Sequence, residues 1–175
     1  MTRTLYTLLV GIDNYPEPIP TLCGCANDVR RMEALLQVRA AERNMDLRQV
    51  VLLDGAATRA AVVDGFRTHL AGAGPDDTVL FYYSGHGSQE YAPPEFWPVE
   101  PDHMDETLVC FDSRQGDQWD LADKELAELL AGVAAGGAHV AVILDCCHSG
   151  SGTRGERAPE DGGARARRAP ADERV

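Results

Sequence analysis

Ala141-Val142-Ile143-Leu144-Asp145-Cys146-Cys147-His148-Ser149-Gly150 sets an apolar run against a cluster of reactive groups. Apolar runs of this length read as buried strands. Reactive groups are best aimed from loops at the end of such a strand. Val79-Leu80-Phe81-Tyr82-Tyr83-Ser84-Gly85-His86-Gly87 has the same form and ends in a histidine between glycines. One strand therefore delivers a cysteine and another a histidine.

Working outward, Leu5 to Ile12 reads as a first buried strand, and Gln49 to Leu53 as a second, stopped by Asp54-Gly55. Thr78 to Tyr83 is the third strand and His139 to Leu144 the fourth. Between the first two, Asp13 to Cys25 carries Pro16, Pro18 and Pro20 and reads as a loop. Asn27 or Asp28 is the expected cap of a helix to about Gln37, with Val29, Met32, Leu35 and Leu36 on one face. Thr58 caps a second helix, with Val62, Phe66 and Leu70 inward. Asp120 or Asp123 opens a third through Leu126, Leu129, Leu130 and Val133, closed by Gly136-Gly137. Ser88 to Glu106 reads as an acidic, proline-rich loop, and Thr107 to Phe111 as a short strand outside the main sheet.

Strands alternating with helices predict a parallel α/β sheet. In such sheets the ligand site lies beyond the carboxyl ends of the strands, near a topological switch point. His86, Cys147 and the Asp13–Asp28 stretch each follow a strand, so all three are expected on one edge.

The 175 residues suit one domain with a real core. No segment reaches the ~18 apolar residues that span a bilayer, and Met1 to Gly11 has too short an apolar run for a secretion signal. Five cysteines, an odd number, fit reduced thiols better than a disulfide framework. A cytoplasmic protein is expected. The net charge of −12 argues against a nucleic-acid surface and favours cationic partners. Residues 151–175 carry six arginines against five acids, which leaves −13 on residues 1–150. The acidity therefore belongs to the folded part. The expected division is a catalytic domain over 1–152 and a disordered Arg/Gly/Ala/Pro-rich tail or linker over 153–175.

Attack by cysteine on a peptide carbonyl needs a thiolate, a proton carrier for the leaving amine and donors for the oxyanion. Cys147 supplies the first and His86 the second. The backbone N–H groups of Gly87 and Cys147 supply the third. The bland alternative is a buried thiol and a loop histidine. A zinc site built from Cys23, Cys25, Cys146, Cys147 and His148 lacks the paired CxxC spacing of structural zinc.

Tyr82-Tyr83-Ser84-Gly85-His86-Gly87 and Asp145-Cys146-Cys147-His148-Ser149-Gly150 resemble the histidine and cysteine motifs of metacaspases, caspase-like cysteine peptidases. Gly11-Ile12-Asp13-Asn14-Tyr15, with Leu22-Cys23-Gly24-Cys25-Ala26-Asn27-Asp28-Val29, is similar to the family's first-strand and loop motif. Asp105-Glu106-Thr107-Leu108-Val109-Cys110-Phe111-Asp112 is similar to its middle segment. The likeness covers about residues 5–152. The animal caspase signature differs at the cysteine and places the histidine about 50 residues upstream, against 61 here.

The resemblance implies a caspase-like three-layer α/β sandwich: a mainly parallel sheet, four core strands and helices on both faces. It implies Cys147 as nucleophile, Cys146 packed away from it, His148 as structural, and Cys23 and Cys110 as buried bystanders. Cys25, Asp28, Ser84 and Asp145 match the pocket for the residue before the scissile bond. Carboxylates sharing a small pocket suit a guanidinium, which adds a planar fork of donors. Cleavage after Arg, then Lys, is expected. Arg154, Arg157, Arg165, Arg167, Arg168 and Arg174 are then candidate self-cleavage sites.

No cofactor is required for this chemistry, but the resemblance implies calcium as an activator. Asp105 and Asp123 match two of its acids, with Lys124 standing where a third is usual. Caspase-like folds carry two further strands in a small subunit, and the chain stops before them. A small-subunit-like partner chain or a second copy is the expected cover for the sheet edge. The rival function is a non-catalytic module that scaffolds a protease partner.

Overall fold

In chain order the elements are β1 (Thr4–Gly11), α1 (Cys25–Glu42), β2 (Asp46–Leu53), α2 (Arg59–Asp64) and β3 (Thr78–Ser84). They continue as β4 (Gly87–Tyr91), β5 (Met104–Leu108), β6 (Leu121–Ala122), α3 (Asp123–Ala134) and β7 (His139–Asp145). The computed structural model describes residues 3–92, 94, 98, 103–146 and 169–170. β1 is buried along its whole length, as a parallel strand covered on both faces must be. Four parallel strands form the main sheet in the order β2-β1-β3-β7. β4, β5 and β6 form a separate antiparallel sheet.

Side chains of a strand alternate between faces, and here the alternation sorts two cores. Leu8, Val10, Phe81 and Tyr83 join the larger cluster, with Val62 and Phe66 from the α2 side and Leu126 and Val133 from α3. Leu9 and Tyr82 face the other way, against Val29, Met32 and Leu36 of α1. This is the caspase-like sandwich: one parallel sheet between helical layers.

Several expectations are corrected. Ser88 to Glu106 is not all loop, because β4 and β5 pair across it. α1 runs from Cys25 to Glu42, well past Gln37, and neither Asn27 nor Asp28 caps it. Its first N–H groups find the carboxylate of Asp13, which accepts from Cys25 N at 2.9 Å and Ala26 N at 3.1 Å. A cap need not be adjacent in sequence, provided an oxygen meets the orphan donors. Gly11 lets the helix come this close, since a Cβ there would lie 2.7 Å from Val29 Cγ2. β2 begins at Asp46, three residues before Gln49. Thr58 caps α2 as expected, its Oγ1 accepting from Ala61 N at 3.2 Å. Past Asp64 the coil widens to a π turn over Gly65–His69. Cys23 is exposed rather than buried.

β7 has β3 as its sole neighbour among the described residues. Val142 and Ile143 point to opposite faces, and both are exposed, at 39% and 44%. The tail expected from residue 153 falls outside the described residues except at Ala169–Pro170, where Ala169 is fully buried. No helix among the described residues is long and apolar enough to cross a membrane.

The loop after β1 is tied to the end of β2. Asp54 Oδ1 accepts from the amides of Asp13 (2.8 Å) and Asn14 (2.9 Å), and Oδ2 from Asn14 Nδ2 (3.2 Å). Burial pushes the Asp54 carboxyl up, but the Asn14 and Asp13 amides together pull it below the ordinary range. A depressed carboxylate stabilises the fold above its unfolded pKa, and the gain is lost as pH falls through the folded value. Asp54→Asn is expected to cost about 1 kcal/mol at neutral pH. Denaturant melts at descending pH should show that cost shrinking once the wild-type carboxylate is protonated.

Candidate active site

The strand order steps from β1 to β2 on one side and to β3 on the other, so the switch point lies between β1 and β3. Gly11 pairs with Ser84, and Ser84 with Asp145, in one row at the carboxyl edge. The residues expected to carry the chemistry follow that row in sequence. His86 lies two residues beyond Ser84, and Cys147 two beyond Asp145. Cys147 and His148 lie outside the described residues.

His86 is held through its backbone and through Nε2. It is 1% exposed. Its amide donates to the Tyr15 hydroxyl at 3.0 Å. Its carbonyl accepts from Val109 N at 3.0 Å and from the Tyr83 hydroxyl at 2.7 Å. The Tyr15 hydroxyl donates in turn to Val109 O at 3.2 Å. Burial pushes both tyrosine hydroxyls well up, so they remain protonated donors. The imidazole Nε2 lies 2.8 Å from Pro20 O. A carbonyl only accepts, so this bond puts the hydrogen on Nε2 and makes Nδ1 the basic atom. The proline-rich loop thus orients the ring, and the Tyr15 ring packs against it at 5.0 Å between centroids.

The same contacts aim the next amide. In a trans peptide the C=O and the following N–H point in opposite directions. His86 O is drawn to Tyr83 and Val109, so the N–H of Gly87 points away from them. Gly85 makes the turn feasible. A Cβ there would lie 2.6 Å from both tyrosine hydroxyls, closer than any side chain can tolerate.

The remaining candidates are distributed around this edge. Ser84 is fully buried and its Oγ makes a long 3.5 Å contact with Asp145 Oδ2. Asp145 is exposed. Asp28, in the first turn of α1, is partly exposed and lies 3.8 Å from Arg31. Cys25 is fully enclosed in the core rather than open to the edge. Burial pushes the Cys110 thiol well up, which keeps it an inert bystander. Cys146 is partly buried and packs against the larger core.

The family described as "Metacaspase, peptidase C14 domain" matches residues 6–154. The chain belongs to the metacaspase family. It is 34% identical to "Metacaspase-1" of Schizosaccharomyces pombe, over 82% of this chain and 33% of that protein. It is 30% identical to "Metacaspase III c" of Phaeodactylum tricornutum, over 86% of this chain and 44% of that one. Among solved structures, protein GSU0716 from Geobacter sulfurreducens superposes with a TM-score of 0.66 at 33% identity, over 85% of this chain and 52% of that one. This metacaspase chain therefore spans a third to a half of the relatives it matches.

The calcium expectation meets a lysine. Asp105 is 3% exposed, and its partner is the ammonium of Lys124. Asp123 Oδ1 lies 3.7 Å from the same nitrogen. Among the described residues no group of three or more His, Cys, Asp or Glu side chains is arranged to hold a metal. Calcium takes six or more oxygens, so Asp105 and Asp123, bridged by a cation of the chain's own, do not fit it.

Tyr15, Tyr83 and Pro20 were not among the site residues expected from sequence. The available signal was two tyrosines facing a core, since a buried phenol needs a partner for its hydroxyl. Gly85→Ala and Tyr83→Phe touch the same few atoms. Each is expected to destabilise, Gly85→Ala by at least about 2 kcal/mol. The double variant should cost less than the sum, by about 1 kcal/mol, because removing one hydroxyl relieves part of the clash. Chemical unfolding of the four chains measures this coupling.

Proposed function

We propose that the chain is the catalytic part of a cysteine endopeptidase that cleaves after Arg, and less readily after Lys. The Cys147 thiol gives its proton to His86 Nδ1, and the sulfur attacks the carbonyl carbon before the scissile bond. The oxygen takes up negative charge against the amides of Gly87 and Cys147. The C–N bond breaks as His86 returns the proton to the leaving amine, which leaves a thioester. Water then attacks with His86 as base and frees the thiol. Asp28 and Asp145 grip the substrate guanidinium, with Ser84 fixing Asp145.

The observation that carries this reading is the His86 imidazole held through Nε2 by Pro20 O. It is the orientation an acid–base group needs, with a third group fixing the base. Calcium is an activator in the family resemblance, but Lys124 already neutralises Asp105 here, and we assign this chain no calcium requirement. A cytoplasmic location suits a reactive thiolate, which a reducing compartment preserves.

Cys147→Ala or His86→Ala should lower hydrolysis of an Arg-linked fluorogenic peptide by at least about 10³-fold. Asp145→Asn should lower kcat/KM for Arg by at least about tenfold while leaving an apolar peptide little affected. Equal turnover of an Asp-linked peptide would end the specificity assignment. Mass spectrometry of the wild type beside Cys147→Ala tests self-processing at the tail arginines, which identical tails would exclude. Calcium at about 1 mM is expected to leave both turnover and melting temperature unchanged. Lys124→Ala, by contrast, should cost about 2–3 kcal/mol, because it strands a buried carboxylate.

Among the described residues β3 is the one strand beside β7, and this favours a second reading. An apolar edge strand open on both faces calls for a partner, and relatives of this chain are longer. A complementary small-subunit-like chain, or a second copy, is the occupant in this reading, and the chain alone is a binding module. Hydrolysis by the isolated chain would decide against it.

A further inference from the structure

The described chain resumes at Ala169–Pro170, and this pair is seated on the start of β4. Ala169 N donates to Gly87 O at 3.1 Å. The Ser88 hydroxyl lies 2.8 Å from Pro170 O and 3.4 Å from Ala169 O. Arg114 Nη1 donates to Pro170 O at 2.6 Å. Arg114 is itself fixed, since Nη2 reaches Ser88 Oγ and Asp120 Oδ2, both at 2.7 Å. Asp120 is fully buried beneath it. The Ala169 methyl is completely enclosed and joins the larger core.

These are the parts of a peptide-docking site. Among the described residues β4 is the end strand of its sheet, and a segment can add to such an edge through main-chain bonds, with pockets giving selectivity. The Ala169 methyl has no exposed surface, so a charged side chain there would have to be buried without a partner or displace the core around it. The next position is used through its carbonyl, so proline, which lacks an N–H, fits it without loss.

We infer that Gly87, Ser88 and Arg114 form a seat for an extended small-residue–proline segment, and that the chain's own Ala169–Pro170 fills it as a clasp on the loop that carries His86. The bearing of this clasp on catalysis rests on the peptidase reading above, but its existence does not. Gly87 is pinned from both sides: its N–H is aimed by the tyrosine pair, and its C=O is held by Ala169. Cys146, at the end of β7, and Ala169 belong to one chain, so the clasp closes as an intramolecular contact. A break between them turns the occupant into a ligand that can leave, so cutting the chain there loosens the histidine loop.

Amide hydrogen exchange on the full chain tests this. Ala169→Asp, which cannot enter the pocket, should speed exchange over residues 86–90 roughly tenfold while β1 stays protected. Ala169→Gly, which keeps the main-chain bond, should stay close to wild type. Equal exchange over 86–90 in all three chains overturns the clasp. Should Ala169→Asp also expose β1, Ser88→Ala decides, because it removes a hydroxyl and little packing. Faster exchange at 86–90 then supports the clasp, and unchanged exchange overturns it. On an Arg-linked peptide, Ala169→Asp should lower kcat with KM unchanged. A wild-type chain without hydrolysis counts against the peptidase reading alone and leaves the exchange result standing.

Discussion

A single peptide plane governs the carboxyl edge of the main sheet. The carbonyl of His86 is pulled inward by the Tyr83 hydroxyl and the Val109 amide, and peptide planarity turns that pull into a direction for the Gly87 amide. Backbone polar groups buried this deeply must be paired, so the arrangement has little freedom to relax. The phenols reach it because Tyr83 extends from a strand buried from Val79 onward and Tyr15 from the loop after β1. Glycine at 85 is the steric condition that lets them come so close.

The loop after β1 links three parts of the molecule. Its Asp13 caps α1, its Pro20 orients His86, and its backbone hangs from Asp54 at the end of β2. Strands of a parallel sheet offer rigid attachment at their carboxyl ends, and the loops there inherit that rigidity. This explains a reactive edge with so few regular elements. Electrostatics supports it differently: a buried acid is neutralised by Lys124, where a metal would need more oxygens around it.

Much of this was legible in the sequence. The mainly apolar runs Leu5 to Ile12 and Val79 to Tyr83 announced the central strands, and the Gly-His-Gly punctuation announced the end of β3. Thr58 announced its helix by local cap chemistry. The cap of α1 was missed because Asp13 acts across twelve residues, beyond any local pattern. β4 and β5 were missed because Gln89, Glu90, Asp105 and Glu106 lack the apolar alternation of a strand, and pairing decides their conformation. The tyrosine pair was legible only as two phenols needing partners, because Tyr15 and Tyr83 lie 68 residues apart and no local pattern says that they meet. Ala169, set among arginines, carries no local mark of burial at all.

Dependence on a shared loop has a hereditary consequence. Asp54 lies at the end of β2, on the far side of β1 from β3, the strand that leads to His86. Yet a lesion there would shift the support of the imidazole without touching it. In a screen for lost function, such a variant would be classed with the reactive residues, and a map of damaging changes would draw the centre wider than the chemistry is.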